Sequence, residues 1–280
     1  MTTRDSPASG PGRLRGKAAL ITGTGGNQGR VAALRFAKEG AIVVGCDINA
    51  SANEETERLV RLSGGEMRAS APVDLGDPDQ VARWVEDAVT SFGRIDIVYN
   101  NAAGPRFVPF AEMTLEDWEY TLRNELTLVF HTCKAAWPHL VAGGGGSIVN
   151  TSSYTAVDGQ PAGSTAHAAA KGGVASLTRA LSVEGSPHGI RANSIVPGLV
   201  DSAVTRRVLT PEQFDFVNSI ARLGRTATPE DVVACAVYLA SDDSSVLTGT
   251  EIVVGGGNIL LGPQLEKLGP DSAPVAETRR

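Results

Sequence analysis

Short apolar runs alternate with amphipathic stretches along most of the chain. The runs are rich in β-branched residues and predict strands at residues 18–22, 41–46, 95–99, 147–150, 191–196 and 251–254, with a weaker one at 67–73. Apolar positions at helical spacing predict helices at residues 29–39, 79–92, 115–140, 166–186 and 229–240. Because the runs are apolar throughout, we expect strands that are buried on both faces, which is typical of a parallel sheet covered by helices on both sides.

Seven strands joined by crossovers predict an α/β fold with a single doubly wound, seven-stranded parallel sheet and helices on both faces. Ligands of such sheets bind at the carboxyl ends of the strands, near the point where the strand order reverses. We expect one domain over residues 16–261. By composition, residues 1–15 and 262–280 are expected to be flexible tails.

Charge and composition narrow the range of partners. The net charge of −6 argues against binding to nucleic acid or to anionic membrane surfaces. No apolar run approaches the roughly 20 residues that a membrane span requires. The three cysteines, Cys46, Cys133 and Cys235, are widely spaced and suggest neither a disulfide framework nor a metal site. We therefore expect a cytoplasmic protein without a membrane or nucleic-acid partner.

A glycine-rich turn follows the first predicted strand and precedes a helix that is expected to begin near Arg30. Its sequence is Thr22-Gly23-Thr24-Gly25-Gly26-Asn27-Gln28-Gly29. Glycines at such a turn let backbone N–H groups approach a pyrophosphate at a helix N-terminus, although glycines also mark ordinary turns. Asn tolerates a positive φ better than most residues, so the turn can accommodate Asn27. The expected dinucleotide contacts are Gly23, Gly25, Asn27, Gln28 and Gly29.

Asp47 ends the second predicted strand, 18 residues after Gly29. A carboxylate there can accept hydrogen bonds from ribose hydroxyls and would repel a 2′-phosphate. No Arg or Lys occurs at residues 48–51 to bind such a phosphate. The sequence therefore predicts NAD(H) in preference to NADP(H), unless Asp47 only forms a turn.

His167 and Lys171 are four residues apart, so in a helix with about 3.6 residues per turn they lie on one face. A buried strand precedes them and ends in the hydroxyls of Ser152 and Ser153. Together with the glycine-rich turn, this arrangement resembles the short-chain dehydrogenase/reductase family, which implies a Rossmann-like fold. Further matching motifs are Asp74-Leu75, Asn100-Asn101-Ala102-Ala103-Gly104 and Arg191-Ala192-Asn193-Ser194-Ile195-Val196-Pro197-Gly198.

The resemblance covers about residues 16–257 and implies further cofactor contacts. Asp74 and Leu75 would contact the adenine, and Lys171 would hold the nicotinamide ribose. The remaining implied cofactor contacts are Asn101, Ala102, Pro197, Gly198, Val200 and Ser202.

The catalytic positions of the family are matched only in part. Ser153 and Lys171 match the family's Ser and Lys, but His167 stands where the family has Tyr. The family's Asn lies seven residues after a helical Trp, and counting from Trp118 reaches Glu125. Either Glu125 occupies this position, where it could pair with Lys171 or relay protons, or a one-residue shift of the helix restores Asn124.

Imidazole is a common general base, and the Lys171 ammonium would disfavour the imidazolium, leaving a neutral ring that can accept an alcohol proton. Alternatively, His167 only shapes the pocket. Tyr154 offers a phenol nearby, as a substitute for the missing Tyr or as an aromatic wall.

The resemblance implies an NAD-dependent oxidoreductase that interconverts a secondary alcohol and a ketone of small-molecule size. A lyase, isomerase or cyclase that uses His167 as acid–base is the alternative, as is a catalytically silent nucleotide-binding protein. Residues 200–223 are expected to form a lid with an apolar wall at Phe214 and Phe216. The predicted helices 115–140 and 166–186 resemble those that pair in the family, which implies a homo-oligomer, most often a tetramer.

Overall fold

A parallel sheet of seven strands forms the centre of the computed structural model, which describes residues 12–158, 163–203 and 205–257. The strand order is β3-β2-β1-β4-β5-β6-β7. The strands are β1 (Ala18–Thr22), β2 (Ile42–Cys46), β3 (Glu66–Ser70), β4 (Ile97–Asn100), β5 (Gly146–Thr151), β6 (Ile190–Pro197) and β7 (Glu251–Val254). The predicted fold class is confirmed.

Helices connect the strands. They are α1 (Asn27–Lys38), α2 (Ala50–Leu62), α3 (Pro78–Phe92), α4 (Leu115–Leu122), α5 (Leu128–Ala142), α6 (Thr165–Gly185), α7 (Thr205–Val208), α8 (Pro211–Ile220) and α9 (Pro229–Ala240). Helices α2, α7 and α8 were not among the predicted helices. The expectation of a single helix at 115–140 was wrong, because two helices are joined there by a π-helical turn at Arg123–Thr127.

Both faces of the sheet are covered, as the uniformly apolar strands require. Side chains alternate along a strand, so neighbouring residues of β1 enter different cores. Ile21 packs in the core that contains Phe36 of α1 and Val233 of α9. Leu20 packs in the core that contains Trp84 of α3 and Val174 of α6. The helix that bears His167 and Lys171 is therefore held directly against the sheet.

A chain of buried side chains also anchors α6. Asn100 at the end of β4 donates from Nδ2 to Asn150 Oδ1 on β5 at 2.8 Å. Asn150 Nδ2 donates to Thr178 Oγ1 on α6 at 2.9 Å. These hydrogen bonds between buried side chains hold the helix in one position, because any shift would break them.

Part of the predicted N-terminal tail packs on the domain. Leu14 is fully buried, and Arg13 forms a 2.6 Å ion pair with Asp243. Residues 1–11 and the predicted tail at 262–280 lie outside the described residues. In the described part of the chain, no helix has the length and apolar character to cross a membrane.

Candidate active site

A cleft of about 750 Å³ opens at the carboxyl ends of the strands, where β1 and β4 are neighbours. The order of the strands reverses at this point, so the loops after β1 and β4 leave the sheet toward opposite sides and open a crevice. Each of five strand ends contributes lining residues: Gly23 after β1, Asp47 after β2, Asn101 after β4, Ser153 after β5 and Gly198 after β6. Helices α4 and α6 and the π-helical turn between α4 and α5 supply the other wall.

The glycine-rich turn approaches helix α1 too closely for side chains. A Cβ at Gly29 would lie 2.0 Å from the carbonyl oxygen of Gly23, and Gly23 has a φ of +75°. Asn27 is the first residue of α1, and no non-glycine residue in the described ranges has a positive φ. The helix therefore begins three residues before Arg30, and Asn27 is accommodated by helical geometry rather than by the left-handed conformation that the sequence suggested.

Asp47 forms a turn and lines the cleft at the same time. Its Oδ2 accepts a hydrogen bond from Gly25 N at 2.9 Å, and its Oδ1 accepts one from Asn49 N at 2.8 Å. A Cβ at Gly25 would lie 2.9 Å from the carboxyl carbon of Asp47. The carboxylate is thus held next to the glycine-rich turn, where both can meet one ligand.

A second network joins the ends of β1 and β4. Gln28 Nε2 donates to Asn101 Oδ1 at 2.8 Å, and Asn101 Nδ2 donates to the carbonyl of Thr22 at 3.1 Å. The Thr22 hydroxyl accepts a hydrogen bond from Ala102 N at 3.0 Å. The cleft is lined by Gln28, Asn101 and Ala102, so these hydrogen bonds hold part of its lining in place.

Asp74 and Leu75 also line the cleft, in the loop between β3 and α3. Arg123 donates from Nη2 to Asp74 Oδ2 at 2.7 Å, and this hydrogen bond is the main reason why the pKa of Asp74 is lowered. Sequence reasoning missed Arg123. It lies in the π-helical turn, two residues before Glu125, and ties that turn to the loop.

The segment after β6 closes one side of the cleft. Pro197, Gly198, Val200 and Ser202 line it, together with Leu199, Thr205 and Leu209. The expected apolar wall is placed differently. Phe214 is buried, with the guanidinium of Arg206 4.4 Å from its ring centroid, and neither Phe214 nor Phe216 is among the lining residues.

The hydroxyls after β5 have different surroundings. Ser153 lines the cleft, and its Oγ accepts a hydrogen bond from Thr155 N at 3.2 Å, which leaves its O–H group able to donate. Ser152 Oγ donates to the carbonyl of Lys171 at 2.9 Å. The Tyr154 hydroxyl donates to Asp158 at 3.1 Å, and burial together with this carboxylate raises the pKa of Tyr154 to about 12. Tyr154 is not among the residues that line the cleft.

Glu125, His167 and Lys171 meet at the base of the cleft. His167 Nδ1 lies 2.6 Å from Glu125 Oε2, and Lys171 Nζ lies 3.9 Å from Glu125 Oε1. Lys171 Nζ also donates to the carbonyl of Thr151 at 3.0 Å. Burial lowers the pKa of Lys171, and the charge of Glu125 opposes that shift. The ring of Phe107 packs against His167 with its centroid 5.4 Å away.

The structure distinguishes Glu125 from Asn124. Within the π-helical turn, Glu125 is fully buried and faces His167. Asn124 lines the cleft at a different point, and its Nδ2 donates to the carbonyl of Tyr120 at 2.8 Å. The carboxylate, and not the amide, is therefore the neighbour of His167 and Lys171.

The site combines a doubly wound sheet and a glycine-rich turn with basic and hydroxyl side chains on the facing wall. This is the architecture of α/β dehydrogenases and reductases. A family model described as enoyl-(acyl carrier protein) reductase matches residues 27–258. Together with the relatives described next, this match establishes that the chain belongs to the short-chain dehydrogenase/reductase family.

The chain is similar to a 3-oxoacyl-(acyl-carrier-protein) reductase FabG from Thermotoga maritima, with 35% identity over 89% of this chain and 100% of that protein. It is similar to a (3R)-3-hydroxyacyl-CoA dehydrogenase from Mus musculus, with 36% identity over 88% of this chain and 97% of that protein. The structure of a 7α-hydroxysteroid dehydrogenase complexed with NADH and 7-oxo glycochenodeoxycholic acid matches with a TM-score of 0.85 and 29% identity, over 89% of this chain and 96% of that one. The family thus comprises oxidoreductases that use a nicotinamide cofactor.

Proposed function

We propose that the protein is an NAD(H)-dependent oxidoreductase that interconverts a secondary alcohol and a ketone, with His167 in the place of the family's catalytic Tyr. The observation that carries this proposal is the 2.6 Å contact of His167 Nδ1 with Glu125, in a cleft that Ser153 and Lys171 also line. An imidazole held by a carboxylate at one nitrogen presents the other nitrogen for proton transfer.

The residues at the two ends of the cleft fit a nicotinamide dinucleotide. A Cβ at Gly25 or Gly29 would collide with neighbouring atoms, so no side chain fills the turn at these positions. Gly23 N and Gly25 N donate to the Cys46 carbonyl and to Asp47, which leaves the N–H groups of the first turn of α1 for a pyrophosphate. Lys171 uses one of its three N–H donors on the Thr151 carbonyl, which leaves two donors for ribose hydroxyls. When bound, the nicotinamide accepts or supplies the hydride.

The protein's side chains bind the substrate oxygen and transfer the alcohol proton. The Ser153 O–H group donates to the substrate oxygen, because its Oγ already accepts from Thr155 N. His167 Nε2 takes the hydroxyl proton in oxidation and returns it in reduction, because Nδ1 is occupied by Glu125. Lys171 orients the ribose and adds positive charge beside the developing alkoxide.

The preference for NAD(H) follows from Asp47. Its carboxylate borders the cleft and is fixed by Gly25 N and Asn49 N, so it cannot move away from a ligand without losing both hydrogen bonds. A 2′-phosphate placed there would face a negative charge, whereas ribose hydroxyls would find an acceptor.

We further propose a cytoplasmic homotetramer. Cys46, Cys133 and Cys235 are free thiols, which is consistent with a reducing compartment. Phe130 on α5 and Val183 on α6 are at least half exposed, and apolar side chains at these positions could be covered by a second copy. Light scattering at micromolar concentration tests this part of the proposal, and a monomeric mass would contradict it.

The decisive experiment follows absorbance at 340 nm with NAD+ or NADP+ and a panel of alcohols. The panel contains 3-hydroxyacyl thioesters and a hydroxysteroid, since relatives and structural neighbours are named for these classes. It also contains a polyol, because a relative from Mycolicibacterium smegmatis is named D-threitol dehydrogenase. NADH formation with at least one alcohol is expected. Product formed without any change at 340 nm would instead indicate a lyase, isomerase or cyclase.

A further inference from the structure

Glu125 is a fully buried carboxylate between two basic side chains. Its Oε2 lies 2.6 Å from His167 Nδ1, and its Oε1 lies 3.9 Å from Lys171 Nζ. Within the described residues, Oε1 has no hydrogen-bond partner. A buried carboxylate is destabilising unless it is paired and hydrogen-bonded, so the contact of Oε2 with His167 is the main interaction that offsets the burial of Glu125.

Backbone geometry directs Glu125 inward. It lies in the π-helical turn at Arg123–Thr127, where the helical register is shifted relative to α4. The Thr114–Asp117 capping box fixes the start of α4, and the Arg123–Asp74 ion pair at 2.7 Å fixes the turn itself. The carboxylate is therefore held against His167 by structure on both sides.

We propose that Glu125 is a positioning residue for His167, an inference that rests on the proposed function. Its Oε2 accepts the Nδ1 proton, which selects the tautomer whose unprotonated Nε2 is available to the substrate. Its negative charge also stabilises the imidazolium that forms when Nε2 takes the alcohol proton. Lys171 Nζ lies 3.9 Å from Glu125 Oε1, and we assign it to the cofactor ribose rather than to proton transfer.

The carboxylate and the imidazole consequently act as one unit. A phenol at position 167 would lie beside the Glu125 carboxylate, and a neighbouring negative charge disfavours the phenolate. His167→Tyr alone should therefore be a poor enzyme, and neutralising Glu125 should improve it. If Glu125 only anchored α6 through Lys171, the activity of His167→Tyr would not improve when Glu125 is neutralised.

The first test is the tautomer. Nitrogen-15 NMR of the uncomplexed wild-type protein, labelled at histidine, should show neutral His167 protonated at Nδ1. In Glu125→Gln the amide can donate to Nδ1 instead, and the population should shift toward the Nε2–H tautomer. A neutral His167 protonated at Nε2 in the wild type would overturn the proposal.

The second test is kinetic and uses Glu125→Gln, with Glu119→Gln as the matched control, since Glu119 is exposed on α4. We expect Glu125→Gln to lower kcat about 10- to 100-fold and to leave NADH affinity within about twofold. The pH at which oxidation reaches half its maximal rate should move lower, because the imidazolium loses its counter-charge. An unchanged pH profile with unchanged kcat would overturn the proposal.

A double-mutant cycle completes the design. Glu125→Gln/His167→Tyr should be at least tenfold more active than His167→Tyr alone, and additive losses would contradict the pairing. Thermal unfolding of each variant excludes loss of folding as the cause. If the wild type oxidises no alcohol in the panel, the proposed function fails, while the NMR result still decides whether Glu125 sets the tautomer.

Discussion

Gly25 donates its backbone N–H to Asp47 Oδ2 at 2.9 Å, so the end of the second strand and the glycine-rich turn form one unit. Asp47 also accepts a hydrogen bond from Asn49 N, and Asn49 caps α2 through Ala52 N. The group proposed to recognise the adenosine ribose is thus connected to the backbone proposed to hold the pyrophosphate. Changes at Asp47 are expected to act on cofactor choice first and on the turn second.

Replacing Asp47 should therefore narrow the preference between cofactors. We expect Asp47→Ala to weaken NADH binding about tenfold, which corresponds to the loss of about one charged hydrogen bond, while NADPH binding stays equal or improves. Dissociation constants from nicotinamide fluorescence check this. Asp47→Asn keeps a hydrogen-bond acceptor but removes the charge. It therefore separates the hydrogen bond to the ribose hydroxyls from the repulsion of the 2′-phosphate. Equal constants for both cofactors in the wild type would contradict the role of Asp47.

Removing the imidazole should abolish most turnover without affecting cofactor binding. His167→Ala is expected to lower kcat by about 10²- to 10⁴-fold, the usual contribution of a general base, with the NADH dissociation constant within about twofold of the wild type. The matched variant is Tyr154→Phe. In the wild type the Tyr154 hydroxyl donates to Asp158, and Tyr154 does not line the cleft, so this variant should keep near-normal kcat. If His167→Ala stays active and Tyr154→Phe loses activity, Tyr154 and not His167 is the group that transfers the proton.

The buried amide chain behind the cleft should contribute strongly to stability. Asn150→Ala removes two buried hydrogen bonds, one from Asn100 Nδ2 and one to Thr178 Oγ1, while Asn100 Nδ2 keeps Cys133 Sγ and Thr178 Oγ1 keeps the Val174 carbonyl as partners. At about 1 kcal/mol for each lost hydrogen bond, we expect a decrease of about 2 kcal/mol in the free energy of unfolding. Urea denaturation measures this cost. Thr178→Val interrupts the same chain, so the double variant should lose less than the sum of the single losses. Strict additivity would indicate that the two residues act separately.

The N-terminus of α9 should show a pH-dependent contribution to stability. A hydrogen bond from Arg225 lowers the pKa of Asp231, with help from the Thr228 backbone and hydroxyl. Because the folded-state pKa lies below the unfolded value near 3.8, the stabilisation is complete above that pH and is lost as the pH falls through the folded value. Asp231→Ala should cost about 1 kcal/mol at pH 7. The difference in Tm from the wild type should shrink below pH 4, and a difference that is constant with pH would contradict the assignment.

Local pattern was sufficient to predict most of the fold. Strands buried on both faces are continuous apolar runs, so β1 and β7 were predicted at their observed bounds and the others within a few residues. Helix α2 escaped prediction because polar residues occupy its buried face. Asn53 and Thr56 are fully buried there and bond to Thr24, a residue that only the folded chain brings near.

By itself, the sequence determined the doubly wound class, because apolar runs and helical patterns alternate along the chain. It also determined the glycine-rich turn, Asp47 at the end of a strand, and the common helix face of His167 and Lys171, because each of these depends on spacing within one segment. Only the tertiary structure decided between Glu125 and Asn124, since the π-helical turn shifts the register by an amount that local periodicity does not encode. It also changed the electrostatics expected at His167. In the sequence, Lys171 is the charged neighbour that helical spacing assigns to His167. Folding adds the buried carboxylate of Glu125, 2.6 Å from the imidazole and 42 positions away along the chain.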